Sequence, residues 1–159
     1  MILRPAIPKD APVIAQIWNR EICDGVSTFN SVEKPDDEVA SQIAACGPAF
    51  RVAELGDQVI GFATFFPFRN GVGYAHTMEH TIYLDQSARG KGAGRALMLE
   101  LEQVAKGQGV HALVAGIGGE NAAAIAFHAA IGFEQVGKMP QVGRKFDRWM
   151  DLVLMQKIL

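Results

Sequence analysis

Thr77-Met78-Glu79-His80-Thr81-Ile82-Tyr83-Leu84, then Arg89-Gly90-Lys91-Gly92-Ala93-Gly94-Arg95, then Leu97, Leu101, Val104 and Ala105 on one apolar face, read as a strand, a glycine-rich turn and a helix. Gly107 or Gly109 ends the helical pattern that starts near Gly90. Glycine lets the backbone take unusual φ/ψ values and approach a ligand closely, and the unpaired N–H groups of a helix start favour an anion. The turn therefore has the shape of a pyrophosphate site. Two familiar nucleotide motifs fail here. A P-loop needs Ser or Thr after the lysine, but Gly92 follows Lys91; the dinucleotide fingerprint begun at Gly92 would need glycine where Leu97 stands. A turn that uses glycine only to bend is the plain alternative.

Upstream, Met1 to Ala6 reads as a short strand and Pro8 to Glu21 as a helix carrying Ile14, Ile17 and Trp18, with Pro8 in its first turn. After an irregular stretch, Asp36 to Cys46 reads as a second helix stopped by Gly47-Pro48. Phe50 to Leu55 and Val59 to Phe66 form a hairpin around Gly56-Asp57-Gln58. Downstream come a buried strand from His111 to Ile117, a helix from Asn121 to Ile131 stopped by Gly132, and closing strands at Phe133 to Val136 and Trp149 to Met155. Gly116, Gly118 and Gly119 are expected to shape the turn before Asn121. The order β α α β β β α β α β β predicts an α/β (mixed α+β) chain with one mixed sheet and helices on its faces.

The chain has 159 residues, room for a single domain spanning 1–159. Hydrophobic residues make up 49% and charged residues 20%, which excludes a disordered chain. A net charge of -2 lacks the basic excess of a phosphate-backbone binder, so no nucleic-acid partner is expected. Without a signal-like start or a run of eighteen apolar residues, the expectation is a cytoplasmic protein with no membrane contact. Cys23 and Cys46 read as reduced, small core residues.

Period two places Glu79, Thr81 and Tyr83 on one face of their strand, and Met78, His80 and Ile82 on the other. A carboxylate at an apolar strand centre either pairs with a cation or serves as a base with a raised pKa. His128 lies two helical turns after Asn121, on the same side of one helix. Beside Phe127 and Ile131 it reads most simply as a packed or surface histidine, and Asn121 as a helix N-cap. His76 and His80 share strand parity, but four residues span about 13 Å, too far for two ligands on one ion at roughly 2 Å each. No metal site is expected, and both are expected to line or flank a pocket. Arg144, Lys145 and Arg148 form a small basic cluster: a solvated face, or an attractor for anions.

Arg89, Gly92 and Gly94 fit Arg/Gln-x-x-Gly-x-Gly/Ala, and the chain also carries Gly116-Ile117, Asn121-Ala122-Ala123, His128, Ile131-Gly132-Phe133, Met139-Pro140-Gln141-Val142-Gly143, Lys145-Phe146 and Trp149-Met150-Asp151. In these residues the sequence resembles the GNAT superfamily of N-acetyltransferases, in its phosphinothricin and methionine sulfoximine acetyltransferase branch, from Ile2 to Gln156. The resemblance implies the GNAT fold: a mixed, mostly antiparallel twisted sheet of six to seven strands, helices on both faces, and a splayed central strand pair. It implies acetyl-CoA as co-substrate, no metal, a small-molecule amine as acceptor, and a homodimer with the acceptor pocket near the interface.

The same resemblance assigns roles. Arg89, Gly90, Lys91, Gly92, Ala93, Gly94 and Arg95 would cradle the pyrophosphate; the backbone of Ile82, Tyr83 and Leu84 would bind pantetheine and donate to the oxyanion; Asn121 would bind the pantetheine or sulfur end. Glu79 would be the base, and His128, standing where many relatives have Tyr, the acid that protonates the thiolate. Phe29, Arg69, Gly73 and Tyr74 would contact the acceptor, with Ala75 where relatives often carry a second Arg. The implied reaction is direct transfer of acetyl to the α-amino group of an acceptor such as phosphinothricin, methionine sulfoximine or methionine sulfone. The competing readings are a GNAT enzyme for a protein or peptide amine, against which Phe62, Phe65, Phe66 and Phe68 argue by promising a closed aromatic pocket, and a non-catalytic acyl-CoA sensor, which would need neither Glu79 nor His128.

Overall fold

The computed structural model describes residues 1–159. Eleven regular elements follow in the predicted order: β1 (Ile2–Pro5), α1 (Ala11–Asp24), α2 (Asp36–Cys46), β2 (Arg51–Leu55), β3 (Gln58–Pro67), β4 (Thr77–Leu84), α3 (Ala93–Gly107), β5 (Ala112–Gly118), α4 (Ala122–Ala130), β6 (Glu134–Lys145) and β7 (Arg148–Ile158). Helix positions follow the apolar period: α1 buries Ile14, Ile17, Trp18 and Ile22, and α3 buries Leu97, Met98, Leu101 and Ala105. Pro8 does not enter α1 but starts a separate 3₁₀ turn, Pro8–Asp10. The β2–β3 hairpin turns on two residues rather than three, Gly56 and Asp57 at φ 56° and 62°, with Leu55 opposite Gln58.

All seven strands join one sheet in the order β1-β2-β3-β4-β5-β7-β6. Every neighbouring pair is antiparallel except β4 and β5, which run parallel. That pair is bonded only through Thr77–Ala112, Met78–Leu113 and Glu79–Val114; beyond Glu79 the strands diverge, leaving one edge of β4 without a strand partner up to Leu84. The expected splay is present.

Each face of the sheet has its own core. Helices α1 and α2 cover one around Phe50, Val52 and Phe62, with Tyr83 packed against it; α3 and residues of α4 cover the other, with Met78, Ile82 and Leu84 packed against it. The parity of β4 therefore sends Glu79 toward the α1–α2 side and His80 toward the α3–α4 side.

The closing strands are longer than expected. Pro140 and two glycines break the β signal after Val136, yet β6 continues to Lys145 through register shifts at Gln135–Gly137 and Met139–Gly143, with Gln141 at φ 55°. An edge strand tolerates the proline because a missing outer N–H costs no ladder bond. The hairpin then turns at Phe146 and Asp147, φ 52° and 56°, where turn chemistry favours glycine or asparagine. Both cysteines are free thiols; Cys23 is exposed rather than in the core as expected, while Cys46 is half-buried and packs against both cores. No helix is long and apolar enough to cross a membrane.

Candidate active site

Where β4 and β5 part, the sheet opens into a cleft of about 490 Å³. Its walls are Glu79–Leu84 of β4, Ala115–Gly118 of β5, the Ala123, Ala124, Phe127 and His128 side of α4, and the loop residues Ser27, Thr28 and Phe29. Of the residues expected at a site, Glu79, His128, Ile82, Tyr83, Leu84, Arg89, Asn121 and Phe29 line it together. Gly90, Lys91, Gly92, Ala93, Gly94 and Arg95 form the turn after Arg89 and the first turn of α3. Arg69, Gly73 and Tyr74 stand apart, on the exposed segment between β3 and β4, with Gly73 and Tyr74 in a 3₁₀ turn and the Arg69 guanidinium 5.7 Å from the Tyr74 ring centre.

The glycine turn is built for close approach. Gly90 and Gly92 take φ 73° and 74°, left-handed values that side chains resist, and no atom stands within 4 Å of where their Cβ would be. The helix ladder begins with Ala96 N–H donating to the Gly92 carbonyl at 3.0 Å, so the N–H groups of Ala93, Gly94 and Arg95 have no partner within the helix. Gly94 has a different task. A Cβ there would stand 3.2 Å from Leu84 and 3.3 Å from the Phe127 ring, so its absence lets α3 seat against β4 and α4.

Glu79 is half-buried and belongs to none of the ion pairs or side-chain hydrogen bonds, which removes the structural ion pair as an account of it. Burial alone raises its carboxyl pKa. Gly116 makes its room: a Cβ there would lie 2.8 Å from Glu79 Oε1. Gly116 and Gly118 thus belong to β5 itself rather than to the turn before Asn121, and a Cβ on Gly118 would fall on the Val26 carbonyl.

His128 is buried against β4 in a way spacing did not reveal. Its Nδ1 lies 2.7 Å from the Ala124 carbonyl, which can only accept, so Nδ1 carries the proton. Its Nε2, 2.9 Å from His80 Nε2, is then bare in the neutral ring and accepts from His80. His80 Nδ1 is left buried and unpartnered. Burial lowers both pKa values; in His80, His128 adds to the fall, which reaches about 3. The neutral His128 ring therefore has no spare N–H for the cleft and must gain a second proton to act as an acid. Asn121 caps α4, accepting from Ala124 N–H at 3.0 Å, and also donates to Ser27 Oγ at 3.0 Å.

Other expectations are redistributed. His76 lies just before β4, its Nδ1 2.8 Å from the Gly109 carbonyl, and does not flank the cleft. Phe62 and Phe65 are core, and neither they nor Phe66 and Phe68 line the cleft. The three basic residues do gather on the β6–β7 hairpin, Lys145 opposite Arg148, but they have different tasks: Arg148 pairs with Glu120 at 2.7 Å, Arg144 lies 4.8 Å from the Trp149 ring centre, and Lys145 is buried. Sequence reading missed Ser27 and Thr28, whose one signal was a polar-aromatic run, Ser27-Thr28-Phe29-Asn30, inside a stretch with no period.

A split parallel pair facing a glycine-rich helix start is the arrangement that the glycine motif implied. The Acetyltransferase (GNAT) family profile matches residues 16–133. The chain belongs to the GNAT acetyltransferase family. An L-methionine sulfoximine/L-methionine sulfone acetyltransferase of Pseudomonas paraeruginosa is 38% identical over 97% of this chain and 92% of its own. Among solved structures, a ribosomal-protein-alanine N-acetyltransferase from Brucella melitensis superposes with a TM-score of 0.95 at 38% identity, covering 100% of both chains. A GNAT superfamily phosphinothricin acetyltransferase from Sinorhizobium meliloti, in complex with acetyl-CoA, superposes with a TM-score of 0.93 at 35% identity over 99% of this chain and 88% of its own. As a GNAT member the chain is an acyltransferase with acetyl-CoA as co-substrate. The cleft suits that donor: the unpartnered edge of β4 offers an extended amide-bearing chain a strand to pair with, and the glycine turn offers N–H groups to phosphates.

Proposed function

We propose that this chain transfers the acetyl group of acetyl-CoA to the α-amino group of a small amino-acid-like acceptor of the phosphinothricin, methionine sulfoximine or methionine sulfone type. The observation that carries the reading is the unpaired, half-buried Glu79 carboxylate at the mouth of the splay. Its raised pKa suits a base that receives a proton from an ammonium group, directly or through water. The neutral amine then attacks the thioester carbonyl without a covalent enzyme intermediate, and a backbone N–H among Ile82, Tyr83 and Leu84 donates to the oxyanion. Residues 89–95 hold the pyrophosphate, and Asn121 borders the sulfur end.

Strand parity separates the two proton transfers. Glu79 faces the α1–α2 side and takes the proton from the amine; His128, on the α3–α4 side where the glycine turn lies, gives one to the departing thiolate. Starting from the ammonium, each turnover removes two protons from nitrogen, one before attack and one from the tetrahedral adduct; one is added to sulfur and the other passes to solvent. His128 must first be protonated on Nε2, the nitrogen now facing His80, and burial makes that form a stronger acid than an ordinary imidazolium. Phe29 bounds the acceptor in this protomer, while Arg69, Gly73 and Tyr74 lie outside its cleft and reach an acceptor only across a dimer interface. The exposed Val136, Met139, Val142, Phe146 and Trp149 of the β6–β7 hairpin support a homodimer. A cytoplasmic location fits the acetyl-CoA requirement.

The test is thiol release from acetyl-CoA against a panel of free amino acids, methionine sulfoximine, methionine sulfone, phosphinothricin, polyamines and short peptides. Turnover confined to the small acceptors is the expected result. Preference for an N-terminal alanine peptide would favour the second reading, a protein-modifying enzyme, to which the superposition on the Brucella melitensis enzyme gives weight. No release with any amine would favour an acyl-CoA sensor.

A further inference from the structure

Lys145, the last residue of β6, is 5% exposed, and its ammonium makes no ion pair. Instead it donates to three backbone carbonyls: Glu21 at 3.1 Å, Gly25 at 2.7 Å and Thr28 at 3.0 Å. An ammonium has three N–H donors, and these acceptors saturate them. Two of the three mark the C-terminal end of α1, where the helix dipole favours a cation: the Glu21 carbonyl, which also accepts the Gly25 N–H at 3.0 Å, and the carbonyl of the C-cap Gly25 itself. The last turn of α1 has no basic residue of its own. Its cap comes from 124 positions along the chain.

The third carbonyl extends the hold into the loop that follows α1. That loop supplies Ser27, Thr28 and Phe29 to the cleft wall, and three further features seat it. Asn121 donates to Ser27 Oγ at 3.0 Å; Gly118 leaves space for the Val26 carbonyl; Gly143, two residues before Lys145, leaves space for the Phe29 ring. The loop meets the sheet face toward which Glu79 points: Cβ atoms at Gly116 and Gly118, which share one face of β5, would fall on Glu79 and on Val26 respectively, whereas the glycine turn leads into α3 on the opposite face. An acyl donor anchored at the turn leaves the loop side for the amine.

We propose that Lys145 is a positioning residue for the acceptor: by gripping the Glu21, Gly25 and Thr28 carbonyls it holds the 25–29 loop as the acceptor-side wall of the cleft. The inference rests on acetyl transfer taking place in this cleft. It gives a buried lysine a task distinct from attracting phosphates, and it makes the β6–β7 hairpin a part of the acceptor pocket.

The test compares wild type with Lys145→Met, which keeps the length but donates nothing, and Lys145→Arg. In Lys145→Met the KM for the acceptor should rise about tenfold or more while kcat and the Kd of acetyl-CoA change by less than about threefold, and Lys145→Arg should recover part of the loss. A fall in kcat at constant acceptor KM, or no change in either, overturns the proposal. Amide hydrogen exchange reads the grip without turnover: residues 25–29 should exchange about tenfold faster in Lys145→Met while α3 is unchanged, and unaltered exchange in the loop overturns the proposal. If wild type turns over no amine, the reading of the cleft has failed while the exchange result still judges the grip. If Lys145→Met does not fold, the wild-type ammonium of Lys145 should still give a slowly exchanging NMR signal; a solvent-like one overturns the proposal.

Discussion

Glu79 combines a cost and a use. An unpaired carboxylate in a half-buried position destabilises the folded chain when it is ionised, and burial raises its pKa for the same reason. Since the folded pKa lies above the unfolded one, the folded state holds more protons between the two values, and stability falls as pH rises through that window. Glu79→Gln should therefore melt at a higher temperature than wild type at pH 7, with the difference vanishing as pH falls below the ordinary glutamate range near about 4.3. The same variant should lose about 10²-fold or more in kcat/KM at neutral pH with little change in acetyl-CoA affinity. In wild type the acid limb of kcat/KM against pH should fall above the ordinary glutamate range, because the base must be ionised to act. Calorimetric melts and a pH-rate profile check all of this, and unchanged turnover would remove Glu79 from the mechanism. Glu79 was legible in the sequence because a charge in an apolar strand stands out by period alone. The His80–His128 contact was not, because it joins residues 48 positions apart whose meeting depends on how α4 docks on β4.

A polar knot ties helix α3 to β7 and α4. The Lys157 ammonium of β7 lies 2.7 and 2.8 Å from the two oxygens of Glu102, a residue 5% exposed on α3, and donates to the Ile131 carbonyl at the end of α4 at 2.8 Å. Removing one member of a buried pair leaves the other charge uncompensated. Glu102→Ala should cost about 3 kcal/mol in urea unfolding, near the lower end of such losses because Lys157 keeps some solvent contact and the Ile131 carbonyl. A loss no larger than that of an ordinary surface substitution would show that the knot contributes little. Elements such as α2 and β4 were legible to the residue because their apolar period and stop signals agree. The β6 strand was not: Pro140, Gly137 and Gly143 erase its alternation, and only pairing with β7 makes those residues a strand. The splay between β4 and β5 leaves no local trace either. It depends on where interstrand bonding stops, and the sequence could point to it only through the family's glycine motif.

At the scale of the molecule, the splay is a seam in a sheet that otherwise ties two separate cores together. Acetyl-CoA bound there would span the seam, pairing with the free edge of β4 and meeting the N-terminus of α3. A ligand that binds only the folded state stabilises it by mass action, by about 2.7 kcal/mol at a concentration one hundred times its Kd. For a chain of this length that corresponds to a rise of roughly 5 to 10 °C in Tm. Coenzyme A should give much of the rise, because it keeps the pyrophosphate and pantetheine. S-acetylpantetheine, which can pair with β4 but brings no pyrophosphate to residues 89–95, should bind far more weakly and shift Tm little at equal concentration. Differential scanning calorimetry with the three ligands separates the two contacts. Equal shifts for acetyl-CoA and S-acetylpantetheine would mean that the β4 edge carries the binding and the glycine turn only bends the chain. Shifts for acetyl-CoA and coenzyme A but not for S-acetylpantetheine would place the anchoring at Gly90, Gly92 and the first N–H groups of α3.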